Sequence, residues 1–389
     1  VSQQAINGTI GEIFEELAIA LETGSCCKPT RVGLTILGSE HGEAELVRGA
    51  KLAQAQGNGS LQVVIIGDYD GDTTGLVHIP AADDKQAHKT MDAMLVSGEL
   101  DAAVTMHYSF PIGVSTVGRV VTPGIGRYMH IANTTGTSAT ERVVAMLKNA
   151  IYAIAVAKAC GNDEPTIGIL NIDGARQVER ALTKLQEKGY DIHFTQSARA
   201  DGGVVMRGND LLQGVPDIMV MDSLTGNVMM KVFSAFTTGG SYESLGDGYG
   251  PGVGEGYDRI INIISRASGA PVIAGAIAYA GQCAKGKLLQ KVEAEMKAVK
   301  KAGWNELISS LCAAAAPAAA VETVTAPPEK PVTADIAGIE ILQLEDAVQV
   351  LWKKGIYAAS GMGCTGPIIL VAPEDKEAAV AALKEAEFI

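Results

Sequence analysis

The chain has 389 residues, with 31 Lys+Arg against 44 Asp+Glu, a formal net charge of −13. At 47% hydrophobic and 19% charged it can bury a sizeable core, which excludes a disordered chain. The acidic balance offers no basic footprint for nucleic acid or for an anionic membrane surface, so neither is expected as a partner.

The length predicts two or three domains. Glycine is abundant at 45 residues and aromatics are sparse at 5%, as in α/β chains with many tight strand–helix turns. Residues 1–30 read as an N-terminal helical segment without the charged start and apolar core of a signal peptide, and a cytoplasmic chain is expected. From there, strand-like apolar runs alternate with helical patterns. Residues 31–37, 61–66, 101–106, 166–172, 217–221 and 271–276 read as strands. Residues 43–56 and 176–188 read as amphipathic helices stopped by Gly57 and Gly189, and 143–158 as a helix too polar in the middle to cross a membrane. Strands that are apolar throughout, separated by helices, predict a mainly parallel sheet covered on both faces, with ligands at the strand carboxyl ends.

Residues 313–334 break this pattern. Thirteen of these 22 residues are Ala or Pro, which predicts an extended linker. Residues 335–389 then form a small module. It has a helix at 344–354, a strand at 356–359, a Gly-rich loop at 360–367, a strand at 368–372 and a last helix at 374–387.

Several motifs carry chemical potential. Cys364 sits among Gly361, Gly363, Thr365 and Gly366, a loop whose backbone N–H groups could lower a thiol pKa and hold an oxyanion. A tight turn around a packed thiol is the plain alternative. In 216–231 a buried strand leads through Asp222, Thr225, Gly226 and Asn227 into a helix bearing Lys231, a phosphate-binding arrangement or else an ordinary helix cap. Thr137 and Ser138 are weaker phosphate candidates, and Ser138 with Glu141 reads as a capping box. The alternate glycines Gly246 to Gly256 read as a mobile surface loop or lid. His41 and His107 follow predicted strands and are candidate site residues. His78, His88, His130 and His193 show no metal-ligand spacing, and neither a metal nor a cofactor is expected. Of the other cysteines, Cys160 and Cys283 read as inert packing residues.

Taken together, these stretches carry a resemblance. Gly38-Ser39-Glu40-His41, Ser97 to Ala102, Ile169-Leu170-Asn171-Ile172, residues 216–231 with Asp-x-x-Thr-Gly-Asn-Val, and Gly269-Ala270-Pro271 resemble the phosphate acyltransferases of bacterial phospholipid synthesis. The resemblance implies a two-subdomain α/β/α sandwich over residues 31–312, of the phosphate acyltransferase and isocitrate dehydrogenase-like type, followed by the 313–334 linker and the 335–389 cysteine-bearing α/β module. The whole chain, including the Gly-Met-Gly-Cys-Thr-Gly-Pro loop, resembles the α subunits of component C of the glycine/sarcosine/betaine reductase complex. That family implies release of acetyl phosphate from an enzyme-bound acetyl thioester, with inorganic phosphate as cosubstrate and no cofactor. It also implies Cys364 as the acyl-bearing thiol, a component C β subunit and selenoprotein A as partners, and an oligomeric assembly.

Acyl transfer to phosphate needs a thiolate, oxyanion donors and a held phosphate. Because the whole chain is acidic, the phosphate pocket must be locally positive. Lys231 with Arg119, Arg127 or Arg176 are the candidates. Two stretches depart from the acyltransferase signature, Gly38-Ser39-Glu40 and Asp173 to Arg176. They keep open a second reading, a non-catalytic scaffold that binds a catalytic β subunit. A nicotinamide-dependent dehydrogenase is excluded by the absence of a pyrophosphate fingerprint.

Overall fold

A computed structural model of the chain describes residues 28–200, 202–315, 324–337, 339, 343–363, 366–386 and 388–389, with positions 11, 14 and 21 near the start. Most of the predicted helical segment at 1–30, residues 316–323 of the predicted linker, and Cys364 and Thr365 lie outside the described residues, while 313–315 end the helix that starts at Trp304.

The first half of the main domain runs β1 (Thr30–Thr35), α1 (Glu43–Gln56), β2 (Leu61–Ile66), β3 (Val77–Ile79), α2 (Asp84–Ser97), β4 (Ala102–Thr105), β5 (Val114–Val121), β6 (Tyr128–Thr137) and α3 (Arg142–Ala159). It continues with β7 (Thr166–Leu170), α4 (Ala175–Glu187), β8 (His193–Phe194), β9 (Val205–Met206), α5 (Gly208–Gln213), β10 (Ile218–Val220) and α6 (Ser223–Ala235). Then follow β11 (Gly250–Val253), β12 (Ile261–Ile263), α7 (Ala270–Lys285), α8 (Leu288–Lys301) and α9 (Trp304–Ala315).

These strands form one twelve-stranded sheet in the order β3-β2-β1-β4-β12-β11-β5-β6-β10-β7-β8, with β9 also on β7. Two parallel blocks, β3 to β12 and β6 to β8, are joined through antiparallel β11 and β5. The mainly parallel α/β class follows from the strands themselves. Val63 to Ile66 are fully buried, so helices must cover both faces. One core lies under α1, α3, α7 and α8, and the other under α2 and α6. Helix α4 shows how local sequence sets a face: Val178, Ala181, Leu182 and Leu185 are buried at helical spacing. No helix among the described residues is long and apolar enough to cross a membrane.

Asp217 just before β10 ties the sheet's amino-terminal edge. Its carboxylate accepts hydrogen bonds from the Thr166 backbone N–H at 2.9 Å and hydroxyl at 2.7 Å, and pairs with Arg127. Burial pushes its carboxyl up, but Thr166 and Arg127 together outweigh burial and hold it below the usual carboxylate range. A depressed folded-state pKa contributes stability that is present above the unfolded value near 3.8 and is lost as pH falls below it. The Asp217→Asn chain is therefore expected to be less stable than wild type at pH 7 and to converge with it towards about pH 2–3, as read by urea midpoints. A constant gap across that range would show that the carboxylate's charge is not what matters.

The C-terminal module has β13 (Ala334–Ala337), α10 (Leu344–Lys353), β14 (Ala358–Gly363), β15 (Gly366–Val371) and α11 (Lys376–Glu385). Its antiparallel sheet has the order β13-β15-β14. Ile336, Leu344, Leu351, Ile369 and Leu383 build its own core, and Ile112 of the main domain packs against that core. A β-bridge between Pro111 and Gly361 adds a second contact.

Four sequence expectations change. Residues 271–276 are not a strand but part of α7, with Pro271 in its first turn; a short, uniformly apolar run does not distinguish a buried helix from a buried strand. The Gly246–Gly256 run is no surface lid. It contains β11, buried in the middle of the sheet, where a Cβ on Gly250 would stand 1.7 Å from the Val117 carbonyl oxygen and one on Gly252 2.3 Å from the Phe110 ring. At Gly250 and Gly252 the neighbouring chain leaves no room for a side chain. Glu141 is itself the N-cap of α3, accepting from Val143 and Val144 N–H at 3.0 and 2.6 Å, so the Ser138 capping box does not form. The Gly-rich loop is mostly hairpin: Gly363 pairs with Gly366, leaving Cys364 and Thr365 between them in sequence.

Candidate active site

A cavity of about 340 Å³ opens at the carboxyl ends of the central strands. Strand β4 delivers Met106, His107 and Tyr108; β12 delivers Ile264, Ser265 and Arg266; β6 contributes Thr135; α6 contributes Asn227 and Lys231. Glu40 after β1 and Tyr249 before β11 complete the lining. This is where parallel α/β sheets bind ligands, because successive strands end together and their loops diverge.

Helix α6 is held against β6 by close contact. The Asn227 side-chain amide donates to the Thr134 carbonyl at 3.1 Å. Gly226 lies so near β6 that a Cβ there would be 1.7 Å from the Asn133 carbonyl oxygen. Gly226→Ala must therefore push the helix away, with an expected loss of about 1–3 kcal/mol in urea unfolding, the usual magnitude of overpacking. An unchanged midpoint would refute this contact.

The 216–231 stretch splits into two roles. Asp222 caps α6: its carboxylate accepts from the Thr225 N–H at 2.9 Å and hydroxyl at 3.1 Å. The Gly226 N–H donates to the Asp222 carbonyl at 2.9 Å. A carboxylate already fills the helix N-terminus, and like charge keeps phosphate out. Asp222, Thr225 and Gly226 serve as capping and packing groups here, and none of the three lines the cavity. Asn227 and Lys231, one and two turns further on, reach the cavity.

Thr137 and Ser138 are also relocated. Both are buried off the cavity, and the Ser138 hydroxyl is taken up by the Ala145 carbonyl at 3.0 Å and Asn149 at 2.7 Å. The β6 residue that lines the cavity is Thr135.

The cation candidates sort sharply. Arg119 is buried against Asp247 and Gln282, Arg127 is on Asp217, and exposed Arg176 pairs with Glu179 at 2.9 Å. None lines the cavity. Lys231 does, with its ammonium 5.6 Å from the Tyr249 ring centroid, and so does Arg266, which the sequence reading missed. Among the described residues neither has an acidic partner within salt-bridge distance. Two such cations against Glu40 give the cavity the local positive charge that phosphate requires. The signal for Arg266 was its place just past strand β12, a strand that was not predicted.

His107 stands on the cavity, while His41 is exposed beside Tyr242. Burial, then the His88 and Arg266 charges, hold His107 below the ordinary histidine value, with Asp84 and Asp335 opposing. That direction favours the neutral imidazole. Gly361, Gly363 and Gly366 lie in the β14–β15 hairpin, and the Gly361–Pro111 bridge attaches that hairpin to the loop that follows His107 and Tyr108. Cys160, half-buried, packs against buried Cys283. A hydrogen bond with Cys283 pulls it down most, against burial, with His130 and Arg119 adding to the effect; Cys283 is pushed up by burial. Neither lines the cavity.

The fold and cavity define a mainly parallel α/β chain with a ligand-sized cleft at its strand carboxyl ends. Residues 30–370 match the family described as fatty acid synthesis protein. Over 384 residues the chain is 54% identical to the glycine/sarcosine/betaine reductase complex component C subunit alpha of Peptoclostridium acidaminophilum, covering 99% of both. It is 26% identical over 253 residues to a phosphate acyltransferase of Thermotoga maritima, covering 56% of this chain and 74% of that one. A branched-chain phosphotransacylase from Enterococcus faecalis superposes with a TM-score of 0.48 at 15% identity, over 66% of this chain and 99% of that one. The chain belongs to the fatty acid synthesis protein family and, within it, to the component C α subunits of the glycine/sarcosine/betaine reductase complex.

Proposed function

We propose that this chain releases acetyl phosphate from an acetyl thioester on Cys364, using inorganic phosphate. The observation that carries the reading is a cavity with two unpaired cations, Lys231 and Arg266, at strand carboxyl ends, to whose rim loop the Cys364-bearing hairpin is bridged. A phosphate oxygen attacks the thioester carbonyl, forming a C–O bond and a tetrahedral oxyanion. The oxyanion collapses, the C–S bond breaks, and the Cys364 thiolate leaves with the bonding electrons. Lys231 and Arg266 hold the phosphate, Asn227 and Thr135 orient it, and backbone N–H groups of the 361–366 hairpin receive the oxyanion. The proton of the attacking hydrogen phosphate passes to the departing Cys364 sulfur or to solvent. Selenoprotein A is the acyl donor and the component C β subunit the standing partner. The Ala/Pro linker lets the cysteine module move between donor and cavity.

The second reading is a scaffold for a catalytic β subunit. Glu40 on the cavity wall and the Asp222 cap favour it, since both oppose a phosphate dianion. Arsenolysis separates the two. The isolated chain is expected to consume acetyl phosphate in the presence of arsenate, because the acetylated thiol passes its acyl group to arsenate and the product hydrolyses. A scaffold leaves acetyl phosphate intact.

A further inference from the structure

Beside the cavity, three residues from two segments, helix α2 and the end of β4, converge, and the acetyl-transfer steps do not use them. Asp84 opens the first turn of α2, and His88 follows one turn later on the same face. The cap of that helix is Asp83, which accepts from the Gln86 N–H at 2.7 Å, so the Asp84 carboxylate is not spent on capping. His107 arrives from the end of β4. Asp84 Oδ2 is 3.5 Å from His88 Nδ1 and 3.7 Å from His107 Nδ1, and one donor atom from each residue lies within 4.8 Å of the others.

These separations have a chemical meaning. Zinc with bonds of about 2.0–2.1 Å in a tetrahedron needs ligand atoms about 3.3–3.4 Å apart. The two measured edges exceed that by only a few tenths of an ångström. The other nitrogen of His88, Nε2, is 2.9 Å from the His107 carbonyl and 3.0 Å from the Thr105 hydroxyl. An N–H donating there fixes the ring and leaves Nδ1 as the ligand nitrogen, the arrangement that commonly orients metal-bound histidines. His88 Nδ1 also lies in hydrogen-bond contact with the Asp84 carbonyl at 2.9 Å, a contact that a cation bound to Nδ1 replaces. The side chains are 45%, 18% and 36% exposed for Asp84, His88 and His107, so an ion can enter from solvent.

We propose that Asp84, His88 and His107 form a binding site for a divalent transition-metal cation, zinc in preference to magnesium or calcium. Two imidazoles and one carboxylate select zinc or cobalt over the oxygen-preferring ions. Three protein ligands leave a coordination position open, and His107 sets the site at the cavity edge. A cation there adds to the positive charge of Lys231 and Arg266, and when bound it can polarise a carbonyl or phosphoryl oxygen.

The test uses the full chain, stripped with chelator and titrated with Co²⁺ and then Zn²⁺, with no acyl substrate present. The expected result is one Co²⁺ per chain with visible tetrahedral d–d bands, displaced by Zn²⁺. Affinity is expected to fall by about 100-fold or more in Asp84→Asn and His107→Gln, and about tenfold in Thr105→Val, which removes the hydroxyl at the His88 ring's far nitrogen and leaves all three ligands in place. His193→Ala, beside Asp191 elsewhere on the surface, is expected to bind as wild type. Absence of the d–d bands in the wild-type chain overturns the proposal, as does binding that persists in Asp84→Asn and His107→Gln, which would place the ion on other residues such as the cysteines. Because the readout is metal binding alone, its failure leaves the acetyl-transfer reading standing, and failure of arsenolysis leaves the metal site standing.

Discussion

The Cys364→Ser chain is expected to form no hydroxylamine-labile acetyl adduct and to make acetyl phosphate at least about 10³-fold more slowly than wild type, the scale of losing a covalent nucleophile. The measurement is acetyl labelling of the chain from acetyl phosphate, followed by hydroxylamine release and peptide mapping. Serine keeps the size of the side chain, but its alkoxide is far harder to form than a thiolate and is a poorer leaving group from the tetrahedral intermediate. An adduct that survives in Cys364→Ser would move the thioester to another cysteine. Cys160 is the first alternative to examine, because its neighbours Cys283, His130 and Arg119 lower its thiol pKa. Cys160 does not line the cavity.

Removing the cavity's cations should separate phosphate capture from acyl loading. Lys231→Met and Arg266→Met are each expected to raise the KM for phosphate by about 10–100-fold, from the loss of a charge-assisted hydrogen bond of about 1.5–3 kcal/mol. Acetylation of Cys364 by the physiological donor is expected to change little in either variant, since no phosphate is needed to load the thiol. Glu40→Gln is expected to act in the opposite direction and lower the KM for phosphate, because it removes the carboxylate that faces the same cavity. Phosphate saturation curves for the three variants decide this. An unchanged KM in both Lys231→Met and Arg266→Met would mean that phosphate binds elsewhere, and the scaffold reading would gain.

The parts of the site that were legible in the sequence share one property: their signal is local. Asn227 and Lys231 were picked out because a buried strand, a polar turn and a helix follow one another within a few residues, and His107 because it ends such a strand. The same local pattern misled at Asp222 and Thr225, where a phosphate-binding turn and a self-capped helix look alike in sequence. Only the direction of the Asp222 carboxylate onto the Thr225 N–H separates them. Thr135 was passed over for Thr137 and Ser138, because a strand's alternation does not reveal which residue falls at the mouth of a cavity made by other strands. The glycine run at 246–256 was read as a lid because alternate glycines resemble a loop. The reason for them is the Val117 carbonyl and the Phe110 ring, more than a hundred residues away in sequence.

By itself, then, the sequence determined the α/β class, the strand-by-strand apolar runs, the Ala/Pro break at 313–334, the separate C-terminal module and the singular setting of Cys364. Each of these is written in contiguous residues, through hydrophobic period, turn chemistry and composition. Tertiary structure alone decided that β11 lies inside the sheet, that Arg266 rather than Arg119, Arg127 or Arg176 joins Lys231, and that Asp84 and His88 meet His107. These depend on which strand ends become neighbours. The order β4-β12-β11-β5-β6-β10 brings residues 106–108, 135, 227–231 and 264–266 around one cavity. That order is fixed by the packing of the whole sheet against its two helical layers, a balance of many weak burial terms that no short window of sequence contains.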